Sequence, residues 1–454
     1  MSLVIYIAML AAAIIAVRQG PGRALLMVYL PVLLCIPESF RAITPGLPDP
    51  TFSQAAILPI LFVTLQRCLK TWRPTLMDAV MLTFAAWVGY SDYAARGYDD
   101  AQNLMFAMIF SVMAPYIVAR LVIPAEKLDV AVARRFVILV FAVAVIGLWE
   151  AKMGYNPFHL MWRPFFPGQG EGWVTTFRYG IARVAGPYSH AILAGIVMVV
   201  AYRLQRWLQW GGHWEPKFRR LPALPGSKAG VITAMLFLAA LMTVARGPWV
   251  GAVVAAAVVA VGRAKDRRKA LAIAGVVLAL GAAAGAVGLA NYLDIKPGTV
   301  MTMSEESAMY RKVLFEKYFS IAVDHAWFGW GLTTWPKVPG MESIDNYYLL
   351  LSLMHGLPAT LMLVFLMLGS AVQCVRRGLS EPRENNSPVF AFAGIFIAIF
   401  VSLGTVYLGE QVLPILFFTL GWAQGWLKSG GSLAVVGAGP AAVTRRPPFR
   451  GVIE

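Results

Sequence analysis

Charge is scarce in this 454-residue chain: Asp, Glu, Lys and Arg fill 14% of positions, where soluble domains carry roughly a quarter. With 59% hydrophobic residues and a mean hydropathy of +0.66, that scarcity excludes an ordinary water-soluble domain. Acid is scarcer than base, 23 residues against 39, which leaves a formal charge of +16. Cysteine is nearly absent, and Cys35, Cys68 and Cys374 have no metal or redox spacing, so disulfides and thiol chemistry are not expected. The five histidines are scattered, and Glu305, Glu306 and Glu316 read as a solvated loop face, so neither a metal site nor a cofactor is expected. No basic residue precedes the first apolar block and no small-residue cleavage site follows it, so residues 2–17 read as a span and not as a cleavable signal.

What is present is a series of apolar blocks divided by short charged loops. They predict helical spans at 2–17, 24–37, 53–66, 76–90, 101–119, 136–149, 187–202, 229–245, 249–262, 270–290, 347–372, 389–406 and 412–427. The expected fold class is all-α, a polytopic helical membrane protein of about 12–13 transmembrane helices filling residues 1–428. Alternate loops and the C-terminal tail hold 27 of the 39 Lys and Arg, which places those loops in the cytoplasm and the N-terminus outside. The positive charge therefore reads as a topology signal and a contact with anionic membrane lipids, not as a nucleic-acid footprint. Residues 429–454 are expected to be a disordered cytoplasmic tail, in which the glycine run after Val436 lacks the strand and helix of a nucleotide-binding loop.

Two outward loops, 151–186 and 291–346, are far longer than the rest and rich in aromatic and charged residues. Beside them lie three arginines on a side that has few basic groups: Arg183, Arg246 and Arg311. Arg246 interrupts the otherwise uncharged stretch 229–261, and arginine at membrane depth costs about 2.5–3.5 kcal/mol on insertion scales. It either marks a turn and snorkels to headgroups or binds an anion. A guanidinium keeps its charge and offers forked donors, so three of them suit a lipid pyrophosphate. Asp345 and Asn346 precede an apolar helix, where they can cap it. Asp345 can also act as a general base toward a sugar hydroxyl. His190 is either structural or a donor to phosphate or acceptor. His355 sits too deep along the same helix to join that site and reads as an interior polar contact.

Four segments carry a family resemblance. They are Arg183-Val-Ala-Gly-Pro-Tyr-Ser-His190, Thr243-Val-Ala-Arg-Gly247, Arg311 followed by His325-Ala-Trp-Phe-Gly-Trp-Gly331, and Asp345-Asn346-Tyr-Tyr-Leu with Gly356-Leu beyond it. In order, side and approximate spacing this set resembles the O-antigen ligase and Wzy-type polymerase superfamily of bacterial envelope glycosyltransferases. The resemblance implies transfer of a glycan from undecaprenyl pyrophosphate to a glycan acceptor at the periplasmic face of the inner membrane, with inversion and without a metal, cofactor or nucleotide sugar. It assigns Asp345, Arg246 and Arg311 to catalysis and Arg183, His190 and Asn346 to substrate binding. O-antigen ligases usually carry His before that Asn, whereas this chain has Asp345, which favours a polymerase of exopolysaccharide, capsule or O-antigen repeats. A ligase and a flippase of lipid-linked oligosaccharide are the alternatives, the flippase disfavoured by the lack of internal repeats. A chain-length regulator is a possible further partner.

Overall fold

The computed structural model describes residues 2–43, 46–170, 174–218, 225–293, 303–341, 343–382 and 386–429. Its helices are α1 (Ile5–Gln19), α2 (Pro21–Cys35), α3 (Phe52–Cys68), α4 (Leu76–Arg96), α5 (Tyr98–Ala125), α6 (Asp129–Met153), α7 (Pro157–Trp162) and α8 (Ala191–Trp210). The second half adds α9 (Lys228–Met242), α10 (Arg246–Arg263), α11 (Arg267–Leu293), α12 (Met303–Asp324), α13 (Tyr347–Ser380), α14 (Val389–Leu403) and α15 (Val412–Lys428). The only strands among the described residues are a two-residue hairpin, Phe177–Arg178 paired with Ile181–Ala182. The protein is an all-α polytopic membrane protein. Each predicted span falls on a helix, and among the described residues six helices are long and apolar enough to cross a membrane. The glycine run after Val436 lies outside the described residues, as do the side chains of Glu305 and Glu306.

Local chemistry sets the helix starts. Thr51 and Thr75 each close a capping box, with Gln54 and Asp78 respectively, and so satisfy backbone donors that the first turn leaves open. Asp78 then serves a second purpose, accepting from Tyr116 Oη at 2.6 Å and Arg120 Nε at 3.0 Å, while Arg120 Nη1 reaches the Gln424 carbonyl at 2.7 Å. This buried pair ties α4, α5 and α15 together, and removing either partner would strand a charge.

Packing is uneven across the bundle. In α8, 83% of the span window is buried, whereas in α11 none is, and its Gly275, Gly281, Gly285 and Gly288 meet nothing within 4 Å. Helix α10 lies along α14, and α14 along α13. The candidate site gathers at the ends of these three helices and α8, whereas the apolar core runs through most of the bundle.

The second long segment is not simply loop: α12 occupies much of it, laying Leu314, Tyr318 and Ala322 against Ile344, Leu349 and Leu353. Its end explains the His325–Gly331 sequence. Helix α13 breaks at Gly356, where φ is +82°, two residues before Pro358. The break frees the carbonyls of Leu353 and Met354, which accept from the backbone N–H groups of Trp330 at 2.8 Å and Gly331 at 2.9 Å. Leu357 in turn donates to the Ala326 carbonyl at 2.7 Å. A Cβ on Gly356 would lie 1.9 Å from the Trp327 carbonyl oxygen, so only glycine fits. His355 is buried there, its Nδ1 2.8 Å from Ser91 Oγ, an interior contact away from the site as expected.

Candidate functional site

At one end of the bundle α8, α10 and α13 begin and α14 ends, and the sequence-predicted residues gather there. Arg183 follows the hairpin and is 8% exposed. Its Nε donates to the Thr243 carbonyl at 3.0 Å, and Val184 N–H donates to Met242 O at 3.1 Å, so the segment is stitched to the α9–α10 turn. Its Nη2 is buried with no hydrogen-bond partner among the described residues. Burial and the neighbouring Arg178 guanidinium both push the Arg183 pKa down, the signature of a cation that lacks a counter-charge. An uncompensated buried donor of this kind is costly unless something anionic meets it.

Arg246 opens α10 and is exposed, with Nη2 hydrogen-bonded to the Tyr179 hydroxyl. Arg178 Nη1 donates to the Val244 carbonyl at 3.2 Å. Both Tyr179 and Val244 hold left-handed backbone, with φ of +53° and +46°. That conformation is uncommon without glycine, and for a branched residue such as Val244 it is strained. The turn closes tightly because Gly247 has no Cβ: one there would lie 2.0 Å from Thr405 Oγ1. Arg246 therefore sits beside the loop that follows α14.

His190 is the N-cap of α8, its Nδ1 accepting from Ile192 N–H at 3.1 Å. An accepting Nδ1 carries no proton, so a neutral ring has its proton on Nε2 and can donate from there. Burial, and then the Arg183 charge, lower the His190 pKa and favour that neutral form, while the Asp345 carboxylate opposes them. His190 thus feels both Arg183 and Asp345, which links the two long segments.

Asp345 and Asn346 divide the work that the sequence left open between them. The cap of α13 is Asn346, whose Oδ1 accepts from Tyr348 N–H at 3.0 Å and Leu349 N–H at 3.2 Å. Asp345 is exposed, accepts among the described residues only from Ser343 Oγ at 3.2 Å, and keeps its carboxylate available. With Arg311, Tyr310, Leu314, Phe315 and Gly404 the pair lines a cleft of about 60 Å³. Arg246 and Arg311 are not joined directly. They meet through Gly247, Thr405 and the cleft residue Gly404.

The reading from sequence missed Arg178, Tyr179 and a carboxyl pair behind His190. Glu38 is buried and Glu410 partly so, and Ser189 favours the charged form of Glu410. A signal existed: Glu410 is the only charge within 389–427, as Arg246 is within 229–261.

Residues 231–364 match the family model described as O-antigen ligase, Wzy_C. The matched segment contains Arg246, Arg311, Asp345 and Asn346, and leaves Arg183, His190 and Glu410 outside it. The match supports the O-antigen ligase and Wzy-type superfamily, a group of membrane glycosyltransferase-like enzymes. No curated protein matches the chain.

Proposed function

We propose that this chain, with its O-antigen ligase family segment, is a polysaccharide polymerase that transfers glycan repeats from undecaprenyl pyrophosphate to a glycan acceptor. One observation carries the reading: Arg183 presents a buried, unpartnered Nη2 beside His190, across from Asp345 in the cleft it shares with Arg311. The acceptor hydroxyl oxygen attacks the anomeric carbon while the bond from that carbon to the pyrophosphate oxygen breaks. Asp345 takes the hydroxyl proton, and the electron pair leaves on the pyrophosphate. Attack opposite the leaving group inverts the anomeric centre.

Charge develops on the departing oxygen, where fixed donors act most strongly, each worth about 10²–10³ in rate. Arg183, Arg246 and Arg311 supply those donors, neutral His190 adds Nε2–H, and Asn346 holds α13 so that Asp345 faces the acceptor. These side chains provide acid, base and anion stabilisation without a metal. The basic loops support an inner-membrane protein with its N-terminus and this site on the periplasmic side and its C-terminus in the cytoplasm. Membrane lipids, the lipid-linked oligosaccharide, the glycan acceptor and a chain-length regulator are the partners.

The match to an O-antigen ligase family favours a second reading, a ligase that passes finished glycan to a lipid A-core or other acceptor. Both readings need the pyrophosphate grip. Purified protein should bind undecaprenyl pyrophosphate, and Arg246→Ala should weaken that binding at least about tenfold, as loss of a charge-assisted donor pair does. Equal binding by wild type and variant would sink the grip.

A further inference from the structure

Behind His190 lies a polar cluster that the proposed chemistry does not use. The loop after α14 carries Glu410 in left-handed backbone, φ +47°, conformationally costly for a residue with a side chain. Ser189, through its hydroxyl and its backbone N–H, favours the charged form of Glu410. The same hydroxyl lies 3.0 Å from Tyr407 Oη. The next residue, Gln411, donates from Nε2 to the Pro187 carbonyl at 2.9 Å and to the Ile36 carbonyl at 3.0 Å. The Glu410–Gln411 pair therefore grips the two residues that flank Tyr188 and fixes the approach to His190. On the far side Glu38, 5% exposed, is hydrogen-bonded to Ser53 Oγ.

We infer that Glu410 is a positioning residue: its carboxylate holds Ser189, and through Ser189 keeps His190 seated as the cap of α8 with Nε2–H turned to the donor. The inference rests on the transferase reading above and adds a residue outside the family-matched segment. His190 can present that proton only while Nδ1 accepts from Ile192 N–H, so a shift of the preceding residue would cost both the cap and the donor.

Ionisation matters because a carboxylate accepts at both oxygens, whereas a carboxylic acid loses one acceptor position to its own proton. Every group around the pair is identifiable. Glu410 faces Ser189, Arg41, Tyr407 and Glu38, and Glu38 faces Ser53, Arg41 and Tyr29. Burial raises the Glu410 pKa, which Ser189 and Arg41 only partly offset. Burial and then the Glu410 charge push Glu38 up to about 7, against the pull of Ser53 and Arg41. Partial desolvation holds the Tyr407 pKa above its ordinary value, so it stays neutral throughout. A carboxyl with a raised pKa holds its charge above that value and loses it as pH falls. Transfer by the wild type should therefore weaken on acidification.

The test uses isolated membranes of a deletion strain, which contain the accumulated lipid-linked glycan, carrying wild type or Glu410→Gln at equal protein level. Glu410→Gln keeps size and one acceptor oxygen, so transfer at pH 7.5 should fall about tenfold, the loss expected for a charged hydrogen bond. Its acid limb should be flattened, which a purely structural loss would not do. Ser189→Ala, which keeps the backbone N–H, should lose less and add little to Glu410→Gln in the double variant. If Glu410→Gln fails to accumulate, Ser189→Ala alone decides, and it should show a weakened rate with an altered acid limb. A wild-type rate and wild-type pH profile in whichever variant accumulates would overturn the assignment. Wild-type membranes with no transfer would instead overturn the transferase reading.

Discussion

In the first long segment, 151–186, Arg178 and Arg183 are committed to backbone before any substrate arrives. Arg178 holds the Val244 carbonyl and Arg183 the Thr243 carbonyl, each across to the α9–α10 turn. In the second, 291–346, Arg311 is exposed on α12 and lines a cleft with no hydrogen-bond partner among the described residues. The first arrangement fixes the position of a guanidinium and leaves one nitrogen over, as a preorganised anion grip requires. The second supplies a cation that can follow a moving charge. On the proposed reading, the first segment would set where the pyrophosphate lies and the second would compensate charge as it develops.

Substitution by lysine separates these roles, because lysine keeps the charge and loses the fork. The largest effect is expected at Arg183. An ammonium cannot hold the Thr243 carbonyl and still present a second planar donor, so Arg183→Lys should lose transfer nearly as completely as Arg183→Ala, about 10²–10³-fold. Initial rates in membranes at equal protein level check this, and a lysine variant near wild type would contradict a forked grip. At Arg311 the charge alone is needed, so Arg311→Lys should stay within about tenfold of wild type while Arg311→Ala falls well below it. Equal loss in the two Arg311 variants would erase the distinction between the segments.

Much of this arrangement was legible in the sequence where a single physical signal dominates. Apolar blocks marked every helix of the bundle except α7 and α12, since lipid leaves the backbone few alternatives. Rare arginines on a side poor in base marked Arg183, Arg246 and Arg311, because charge at an apolar boundary needs a reason. Roles that depend on which neighbour arrives were less visible. Whether Asp345 or Asn346 caps α13 turns on one residue of backbone geometry, and composition is blind to it. The electrostatic influence of Ser189 on Glu410 and of Glu410 on Glu38 spans large sequence separations, and no local pattern announces it. Helix α12 was read as loop because its apolar face is short and its remaining positions are charged.

Glycan analysis of a strain lacking this protein tests polymerisation most directly. Gels of carrier-linked and acceptor-linked glycan from that strain should show single repeat units and no longer chains, with full-length polymer restored by the wild type and not by Asp345→Asn. Full-length polymer that accumulates on its carrier and fails only to reach its final acceptor would contradict polymerisation and establish a ligase instead.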